Sequence, residues 1–261
     1  MTVQLKGTTA LVTGASSGLG TAYATELARR GADVVLVARR EERLRELADR
    51  LTGECGITAT VLPADLAAPG AAAALHAEVE ARGIRIRTLV NNAGYGMHDP
   101  FLDADVARTA EMIDLNVNAL VALTRAFLPA MAEARRGIVV NIASTGAFAP
   151  CPTMAVYGAT KAFVLSFTEA VAHEVRPRGV QMVAVCPGAT ATEFRAVSGL
   201  HADRMETGSQ TPEQVVAATF HALERGRSGS MVSGARNAVL AKLTGFVPRR
   251  VATTMAARML S

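Results

Sequence analysis

The sequence is poor in cysteine and has no long apolar run. Its three cysteines, Cys55, Cys151 and Cys186, are odd in number and widely spaced, which fits neither a disulfide framework nor a zinc site. No apolar run reaches the ~18 residues of a transmembrane helix, and residues 1–7 lack the layout of a signal peptide. We therefore expect reduced thiols, no bound metal and a cytoplasmic protein.

Acidic residues are missing from the last part of the chain. Residues 225–261 hold seven basic groups and no acid, whereas residues 1–224 hold 20 basic and 23 acidic groups. The formal net charge of +4 therefore comes from the tail. The main domain shows no basic patch interleaved with aromatic residues, so we expect no nucleic-acid partner.

Tyrosine and lysine are also scarce, with three of each beside 24 arginines, yet Tyr157 and Lys161 stand four residues apart in a helical pattern. Residues at i and i+4 share one helix face, with Cβ atoms about 5–6 Å apart. An ammonium beside a phenol favours the phenolate and lowers a pKa that is normally about 10. Such a tyrosine can exchange protons near neutral pH. The alternative, from these residues alone, is a surface helix that contains a buried tyrosine.

The patterning predicts one α/β domain. Apolar runs alternate with helical patterns, which predicts a Rossmann-like, doubly wound parallel sheet of about seven strands with helices on both faces. The predicted strands are 8–13, 33–38, 57–62, 88–90, 137–142, 180–185 and 229–233. A long helix is predicted from about 105 to 134, and another begins at Thr211-Pro212. We divide the chain into a dinucleotide-binding and catalytic domain, 1–234, and a basic amphipathic extension, 235–261.

Ligands of such sheets bind outside the carboxyl ends of the strands, and chemistry-bearing residues collect there. The first strand runs into Gly14-Ala-Ser-Ser-Gly18-Leu-Gly20 and then a helix, whose free N–H groups and positive dipole end suit a phosphate. The spacing differs from Gly-x-Gly-x-x-Gly, so a turn that serves packing alone is the alternative. The residues that follow successive strands are Gly14, Arg39, Asp65, Asn91, Ser144 and Pro187.

Arginines after the second strand favour NADP over NAD. An acid at this point would accept the 2′-OH of NAD, while an arginine accommodates the 2′-phosphate of NADP. The chain has Arg39, Arg40 and Arg43 there. We assign the phosphate contact to Arg39 and treat Arg43 as part of the solvated face of helix 41–52. For Arg40 both readings stay open.

These motifs and their order resemble the short-chain dehydrogenase/reductase family, in its compact single-domain branch, over about Lys6 to Ser233. The matching residues are TGASSGLG at 13–20, Asp65-Leu66, NNAG at 91–94, Asn116, Ser144, Tyr157-x-x-x-Lys161, and Pro187-Gly188 with Thr192. The resemblance implies an NAD(P)-dependent oxidoreductase that acts on a carbonyl or a secondary alcohol. No catalytic position departs from the family pattern.

The resemblance also implies roles for single residues. Tyr157 would be the general acid/base, and Lys161 would lower its pKa and hold the nicotinamide ribose. Ser144 would bind the reacting oxygen, and Asn116 would hold a water that links Lys161 to solvent. The predicted cofactor positions are Gly14, Ser16, Ser17, Gly18, Leu19, Gly20, Arg39, Asp65, Leu66, Asn91, Ala93, Gly94, Tyr157, Lys161, Pro187, Gly188, Thr190 and Thr192.

The substrate is expected among the variable segments 95–99, 146–156 and 193–210, which carry apolar side chains and few charges. This favours an apolar ketone or aldehyde. The predicted substrate contacts are Ser144, Phe148, Met154, Tyr157 and Phe194.

Segment 193–210 has no regular period and is expected to be a mobile flap that carries Phe194, Val197, Leu200 and Met205. A lone histidine or cysteine in a loop is usually incidental, so His98 and Cys151 receive no role.

The basic tail has apolar residues at helical spacing, Val251, Met255 and Met259. A basic amphipathic helix can lie on an anionic membrane surface or pack on another subunit. The resemblance implies a homodimer or homotetramer, so we favour subunit packing and keep peripheral membrane contact as the alternative.

Two classes of function stay open. The first is an NADP-dependent oxidoreductase, and the second is a cofactor-binding regulator or scaffold of the same fold without significant turnover. The set Asn116, Ser144, Tyr157 and Lys161 favours the enzyme, because a pure binder needs no proton relay. A lyase or epimerase on this fold is a further, weaker reading.

Overall fold

A computed structural model describes residues 4–199, 209–244 and 246–260. It contains a seven-stranded sheet in the order β3-β2-β1-β4-β5-β6-β7, with all paired neighbours parallel. The strands are β1 Thr9–Thr13, β2 Asp33–Ala38, β3 Ala59–Pro63, β4 Ile86–Asn91, β5 Gly137–Ile142, β6 Val180–Cys186 and β7 Gly229–Val232. The predicted doubly wound parallel sheet is confirmed.

Ten α-helices are found in these described ranges. They are α1 Gly18–Arg29, α2 Glu41–Cys55, α3 Ala71–Ala81, α4 Val106–Ile113, α5 Leu120–Glu133, α6 Ala155–Val175, α7 Phe194–Ser198, α8 Pro212–Glu224, α9 Ala235–Thr244 and α10 Arg249–Leu260. The predicted start of α8 is confirmed, with Pro212 in the first turn and a capping box between Thr211 and Gln214.

The strands are apolar on both faces because helices cover both. Val12 and Leu36 point to the face where Leu27 of α1, Leu44 of α2 and Phe220 of α8 pack. The next residues along the same strands point to the other face, which α3, α5 and α6 cover. This burial leaves the carboxyl edge of the sheet, with its loops, to carry polar chemistry.

Three predicted elements need correction. The long helix 105–134 is interrupted by a π-helical turn, Asp114–Ala119. The segment after β6 begins with the short helix α7 rather than with irregular chain, while Leu200 and Met205 lie outside the described residues. The tail forms two helices, α9 and α10, on either side of Pro248.

By length and composition alone, Val106–Glu133 is apolar enough to cross a membrane. Its side chains Leu120, Leu123, Phe127 and Met131 are instead buried within the domain, and a buried core helix passes the same compositional test. The hydropathy of this stretch is therefore weak evidence for a membrane span.

Candidate active site

The glycine turn between β1 and α1 depends on the absence of side chains. Gly14 and Gly18 have φ angles of +65° and +53°, in the left-handed region that favours glycine. A Cβ on Gly20 would overlap the Gly14 carbonyl oxygen. Ser17 is the N-cap of α1 and makes no side-chain cap. A cradle that a Cβ would fill, at a helix N-terminus, fits the phosphates of a dinucleotide.

An arginine contacts this turn, and it is not the one that the sequence favoured. Arg40 donates to Ser16 Oγ at 3.1 and 3.2 Å and to the Ser16 carbonyl at 3.3 Å. Arg39 lies against Glu111 at 3.4 Å, on α4. The assignment of the 2′-phosphate to Arg39 stays a prediction, and Arg40 joins it as a candidate.

Arg43 was predicted to lie on the solvated face of helix 41–52, but its side chain makes an ion pair. Its Nη1 lies 2.7 Å from Glu193 Oε1, and Arg40 Nη1 lies 2.9 Å from Glu193 Oε2. The loop after β6 is thereby tied to the loop after β2.

The two asparagines after β4 face different ways. Asn91 is the last residue of the strand, and its buried Nδ2 donates to Thr124 and Asn141. Its side chain therefore serves the interior, and a cofactor would meet its backbone. Asn92 Nδ2 reaches the Thr13 and Gly14 carbonyls at 2.9 and 3.3 Å, so Asn92 braces the glycine turn.

The remaining adenosine-side positions are spread between loop and core. Asp65 follows β3 and accepts from the Ala67 N–H at 3.2 Å, which shapes the turn. Leu66 is buried in the core on one face of the sheet, and Leu19 packs against the core on the other face, so these two would meet a cofactor through their main chains. The Ala93 N–H donates to Thr13 Oγ1 at 3.0 Å.

Asn116 lies in the π-helical turn and is 1% exposed. Its Oδ1 accepts from the Tyr95 N–H at 3.1 Å, and its Nδ2 donates to the Tyr95 carbonyl at 2.9 Å and to Thr160 Oγ1 at 3.1 Å. A Cβ on Gly94 would come within 2.7 Å of Asn116 Oδ1, so the NNAG loop needs glycine there. That Asn116 holds a water stays a prediction.

Ser144, Tyr157 and Lys161 meet where β5 ends and α6 begins. Ser144 lies near enough to the Tyr157 hydroxyl to lower its pKa, and Ser144 Oγ accepts a hydrogen bond from the Gly146 N–H at 3.1 Å. Lys161 is 6% exposed. Its Nζ donates to the Ile142 carbonyl at 2.8 Å and lies 5.9 Å from the centroid of the Tyr157 ring.

Burial shifts the pKa of both Tyr157 and Lys161. It raises the pKa of Tyr157 to about 12, against the lowering effect of Ser144, and it lowers the pKa of Lys161 to about 8. The expected lowering of the Tyr157 pKa is therefore wrong, because burial raises it. Loss of hydration on burial disfavours both the phenolate and the ammonium.

The loop after β6 lies opposite the glycine turn. The Pro187 carbonyl accepts from the Thr145 N–H at 2.9 Å, and Thr190 Oγ1 donates to the Gly188 carbonyl at 3.0 Å. A Cβ on Gly18 would come within 2.9 Å of Thr192 Cγ2. Asn237 of α9 packs on Gly188 so closely that a Cβ would overlap it.

Apolar side chains surround the Tyr157 ring. The ring of Phe194 lies 5.3 Å from it, centroid to centroid, and a Cβ on Gly96 would touch Phe194, Tyr157 and Met154. A cleft beside Tyr157 is lined mainly by apolar groups, including Met97, Met112 and Met154. Phe148 packs instead with a separate core cluster.

Cys151 is close to Tyr157 but has an unreactive environment. Burial raises the pKa of its thiol, whereas nucleophilic cysteines have a lowered pKa. Its Sγ lies 3.4 Å from the Ala149 carbonyl. The interpretation that Cys151 has no catalytic role fits this environment.

A family model described as short chain dehydrogenase matches residues 8–202. The chain belongs to the short-chain dehydrogenase/reductase family. A very-long-chain 3-oxoacyl-CoA reductase of Anas platyrhynchos is 35% identical over 220 residues, or 82% of this chain and 68% of that protein. A short-chain dehydrogenase from Sphingobium yanoikuyae in complex with NADPH is 36% identical with a TM-score of 0.82, over 92% of this chain and 94% of its own.

A further solved structure, from a study of 7beta-hydroxysteroid dehydrogenase stereoselectivity, has a TM-score of 0.87 at 28% identity and covers 98% of this chain and 99% of its own. This short-chain dehydrogenase/reductase is thus an NAD(P)-dependent oxidoreductase, as the sequence motifs predicted.

Sequence reasoning missed four residues of this short-chain dehydrogenase/reductase that contact its predicted site. They are Arg40, Asn92, Glu193 and Asn237. Asn92 stands within a motif that was recognised, and Arg40 was left open. Glu193 and Asn237 had no signal of their own, because only the folded chain brings them beside Arg40 and Gly188.

Proposed function

We propose that the chain is an NADP(H)-dependent oxidoreductase of an apolar ketone or aldehyde and the matching secondary alcohol, with Tyr157 as general acid/base. The observation that carries this proposal is the placement of Ser144 beside Tyr157, with buried Lys161 one helical turn away on the same helix. The pair lies at the carboxyl edge of the sheet, beside the phosphate cradle. When bound, NADP(H) donates or accepts the hydride.

We assign a separate role to each of Ser144, Tyr157 and Lys161. Ser144 Oγ donates a hydrogen bond to the substrate oxygen and stabilises charge that develops there. With a pKa of about 12, Tyr157 is protonated at neutral pH and is ready to donate a proton from Oη in reduction. Oxidation needs its phenolate, which charged Lys161 favours.

The cofactor site is proposed around the glycine turn and the loops that follow β2, β4 and β6. Arg40, which bonds to Ser16, and Arg43, which shares Glu193 with it, support NADP over NAD, because arginine suits a 2′-phosphate. A relative solved with NADPH agrees with this preference. The residues proposed to hold the cofactor are those predicted from the sequence, with Arg40 added.

The proposed substrate is apolar because few charges face the cleft at Tyr157. Met97, Met112 and Met154 line the cleft, and the ring of Phe194 lies against that of Tyr157. Such side chains favour burial of hydrocarbon beside the carbonyl. Relatives named for very-long-chain 3-oxoacyl-CoA and for hydroxysteroids act on substrates of this character. Phe148 is a weaker candidate contact, since it packs elsewhere.

The test is the rate of NADPH consumption with a panel of ketones and aldehydes of increasing size. We expect Tyr157→Phe to lower turnover by about 10²–10⁴-fold, the usual contribution of a positioned acid, with cofactor binding retained. Tyr23→Phe is the matched control, because Tyr23 is fully buried and bonded to Thr219. Turnover that survives in Tyr157→Phe would contradict the mechanism. NADPH binding without turnover of any carbonyl would favour the regulator reading instead.

Assembly and location are further parts of the proposal. We infer a homo-oligomer, supported by exposed apolar residues on α9 and α10, among them Leu243 and Met255. Membrane contact through these helices is the alternative. The cytoplasmic location and the division at residue 234 stay predictions, and the contact of Asn237 with Gly188 argues that the extension also supports the site.

A further inference from the structure

Three consecutive residues after β6 contact three separate parts of the site. Thr192 lies against Gly18 of the glycine turn. Glu193 pairs with arginines that follow β2, and the Phe194 ring lies 5.3 Å from that of Tyr157. This segment therefore joins the nucleotide end of the site to the catalytic tyrosine.

Glu193 places a carboxylate between two guanidinium groups. Its two oxygens lie 2.9 Å from Arg40 Nη1 and 2.7 Å from Arg43 Nη1. Hydrogen bonds from Arg43 and Arg40 hold the pKa of the Glu193 carboxyl below its usual value, so it is ionised at neutral pH. Arg40 also donates to Ser16, which places this carboxylate at the margin of the glycine turn.

A phosphate monoester would compete for the same donors. It carries more negative charge and more acceptor oxygens than a carboxylate, and arginine binds both groups through the same planar fork. Exposed ion pairs are individually weak, and these side chains are 42–48% exposed. The Glu193 pairs are therefore weak enough for a ligand to replace.

We propose that Glu193 is an internal competitor of the 2′-phosphate of NADP(H), and so a specificity-determining residue. This inference rests on the proposed NADP(H) function. Glu193 forms ion pairs with Arg40 and Arg43. The 2′-phosphate of NADP(H) displaces the Glu193 carboxylate from these arginines when the cofactor binds. NAD(H) has no 2′-phosphate and leaves Glu193 in place. Glu193 thus lowers affinity for NADP(H) while affinity for NAD(H) is unaffected.

Displacement of Glu193 has a consequence at the other end of the segment. Phe194 is the next residue and packs on Tyr157 and over Gly96. Movement of Glu193 away from the arginines shifts the backbone that carries Phe194. Binding of the 2′-phosphate thereby changes the position of Phe194 beside Tyr157.

The first experiment measures dissociation constants of NADP⁺ and NAD⁺ by titration calorimetry on the full chain. We expect Glu193→Gln to tighten NADP⁺ binding by about three- to tenfold, the range that exposed ion pairs allow, and to leave NAD⁺ within about twofold. Glu41→Gln is the matched control. It removes the same charge at the start of α2, but Glu41 pairs with Arg45, so both affinities should stay within about twofold.

The second readout follows Phe194 directly. The chain has no tryptophan, so Phe194→Trp supplies a single fluorophore. At saturation we expect NADP⁺ to shift its emission maximum more than NAD⁺ does, and Glu193→Gln in this background to remove that difference. Identical spectra with the two saturating cofactors would overturn the displacement of Glu193.

The remaining outcomes separate the two proposals. Weaker or unchanged NADP⁺ binding in Glu193→Gln, or equal tightening of both cofactors, would overturn the role of Glu193 and leave the oxidoreductase proposal standing. A wild-type chain that binds neither NADP⁺ nor NADPH would overturn both.

Discussion

Lys161 combines a functional position with an unfavourable environment. It is almost fully buried, with its Nζ bound to the Ile142 carbonyl, and burial lowers its pKa to about 8. A displacement of this size from 10.5 corresponds to about 3 kcal/mol against the charged form. Lys161 should therefore reduce the stability of the fold at neutral pH, as groups kept for function often do.

We expect Lys161→Met to abolish turnover and yet raise the free energy of unfolding at pH 7 by about 2 kcal/mol. The relieved desolvation exceeds the lost bond to Ile142, which contributes about 1 kcal/mol. Urea unfolding of both proteins measures the difference. Lys6→Met is the control, because Lys6 is exposed and its change should stay within about 0.5 kcal/mol.

The pH dependence of this difference has a definite sign. Between about pH 8 and 10.5 the unfolded chain holds a proton on Lys161 that the folded chain has lost. The wild-type free energy of unfolding therefore rises with pH across this window relative to the variant. The advantage of Lys161→Met should shrink between pH 7 and pH 9.5. A variant that is less stable than wild type at pH 7 would show that the lysine is a net structural contributor.

At the scale of elements, Gly20 of α1 and Gly53 of α2 are both glycines within a helix, and they have opposite effects on packing and stability. Gly20 of α1 approaches the Gly14 carbonyl so closely that a Cβ would overlap it. A Cβ on Gly53 of α2 would meet nothing within 4 Å among the described residues. The first glycine permits close contact between helix and turn, whereas the second only lowers helix propensity.

We expect Gly20→Ala to lower the free energy of unfolding by about 1–3 kcal/mol, the usual effect of overpacking, and to weaken NADPH binding by distorting the turn. Gly53→Ala, its matched control, should raise stability by about 0.5–1 kcal/mol with unchanged cofactor affinity. Thermal unfolding and fluorescence titration with NADPH distinguish the two effects. Equal stability changes in the two variants would remove the steric argument for Gly20.

Local signals in the sequence were sufficient for most elements. The bounds of β2 and β5 agree with the prediction, because each is a short apolar run between polar or glycine residues. The start of α8 was also predicted, because the signal for it, Thr211 followed by Pro212, lies in adjacent residues of the chain. The π-helical turn at Asn116 was not, because it depends on the bonds that Asn116 makes with Tyr95, 21 residues away.

The details of the candidate site needed the fold. Strand β4 extends one residue past its predicted end and includes Asn91, so Asn91 turns inward and Asn92 braces the turn. Arg40 meets Glu193 across 153 positions of sequence. The Tyr157 pKa depends on burial more than on the i,i+4 spacing from which it was argued. Sequence motifs predict which residues lie at the carboxyl edge of the sheet. The direction and the hydration of their side chains depend on tertiary packing, which the motifs do not contain.

At the scale of the whole molecule, the C-terminal helices leave apolar residues uncovered. Phe246 is 88% exposed and Leu243 53% exposed. The tail from residue 225 carries seven basic groups and no acid, while the rest of the chain has an excess of three acidic groups. A second copy of the chain offers an apolar surface of the same kind, and self-association through one shared patch closes a symmetric dimer.

We therefore expect light scattering to give a mass of at least twice the 27.2 kDa of one chain. The double variant Leu243→Ser, Phe246→Ser should shift this mass towards that of the monomer. High salt should strengthen the association of the wild type, because it screens the repulsion between the two basic tails. Phe101→Ser, Leu102→Ser is the matched control. It removes a similarly exposed pair outside the tail and should leave the mass unchanged. A monomeric wild type that binds anionic vesicles, and loses this binding in the tail variant, would replace subunit packing by membrane contact.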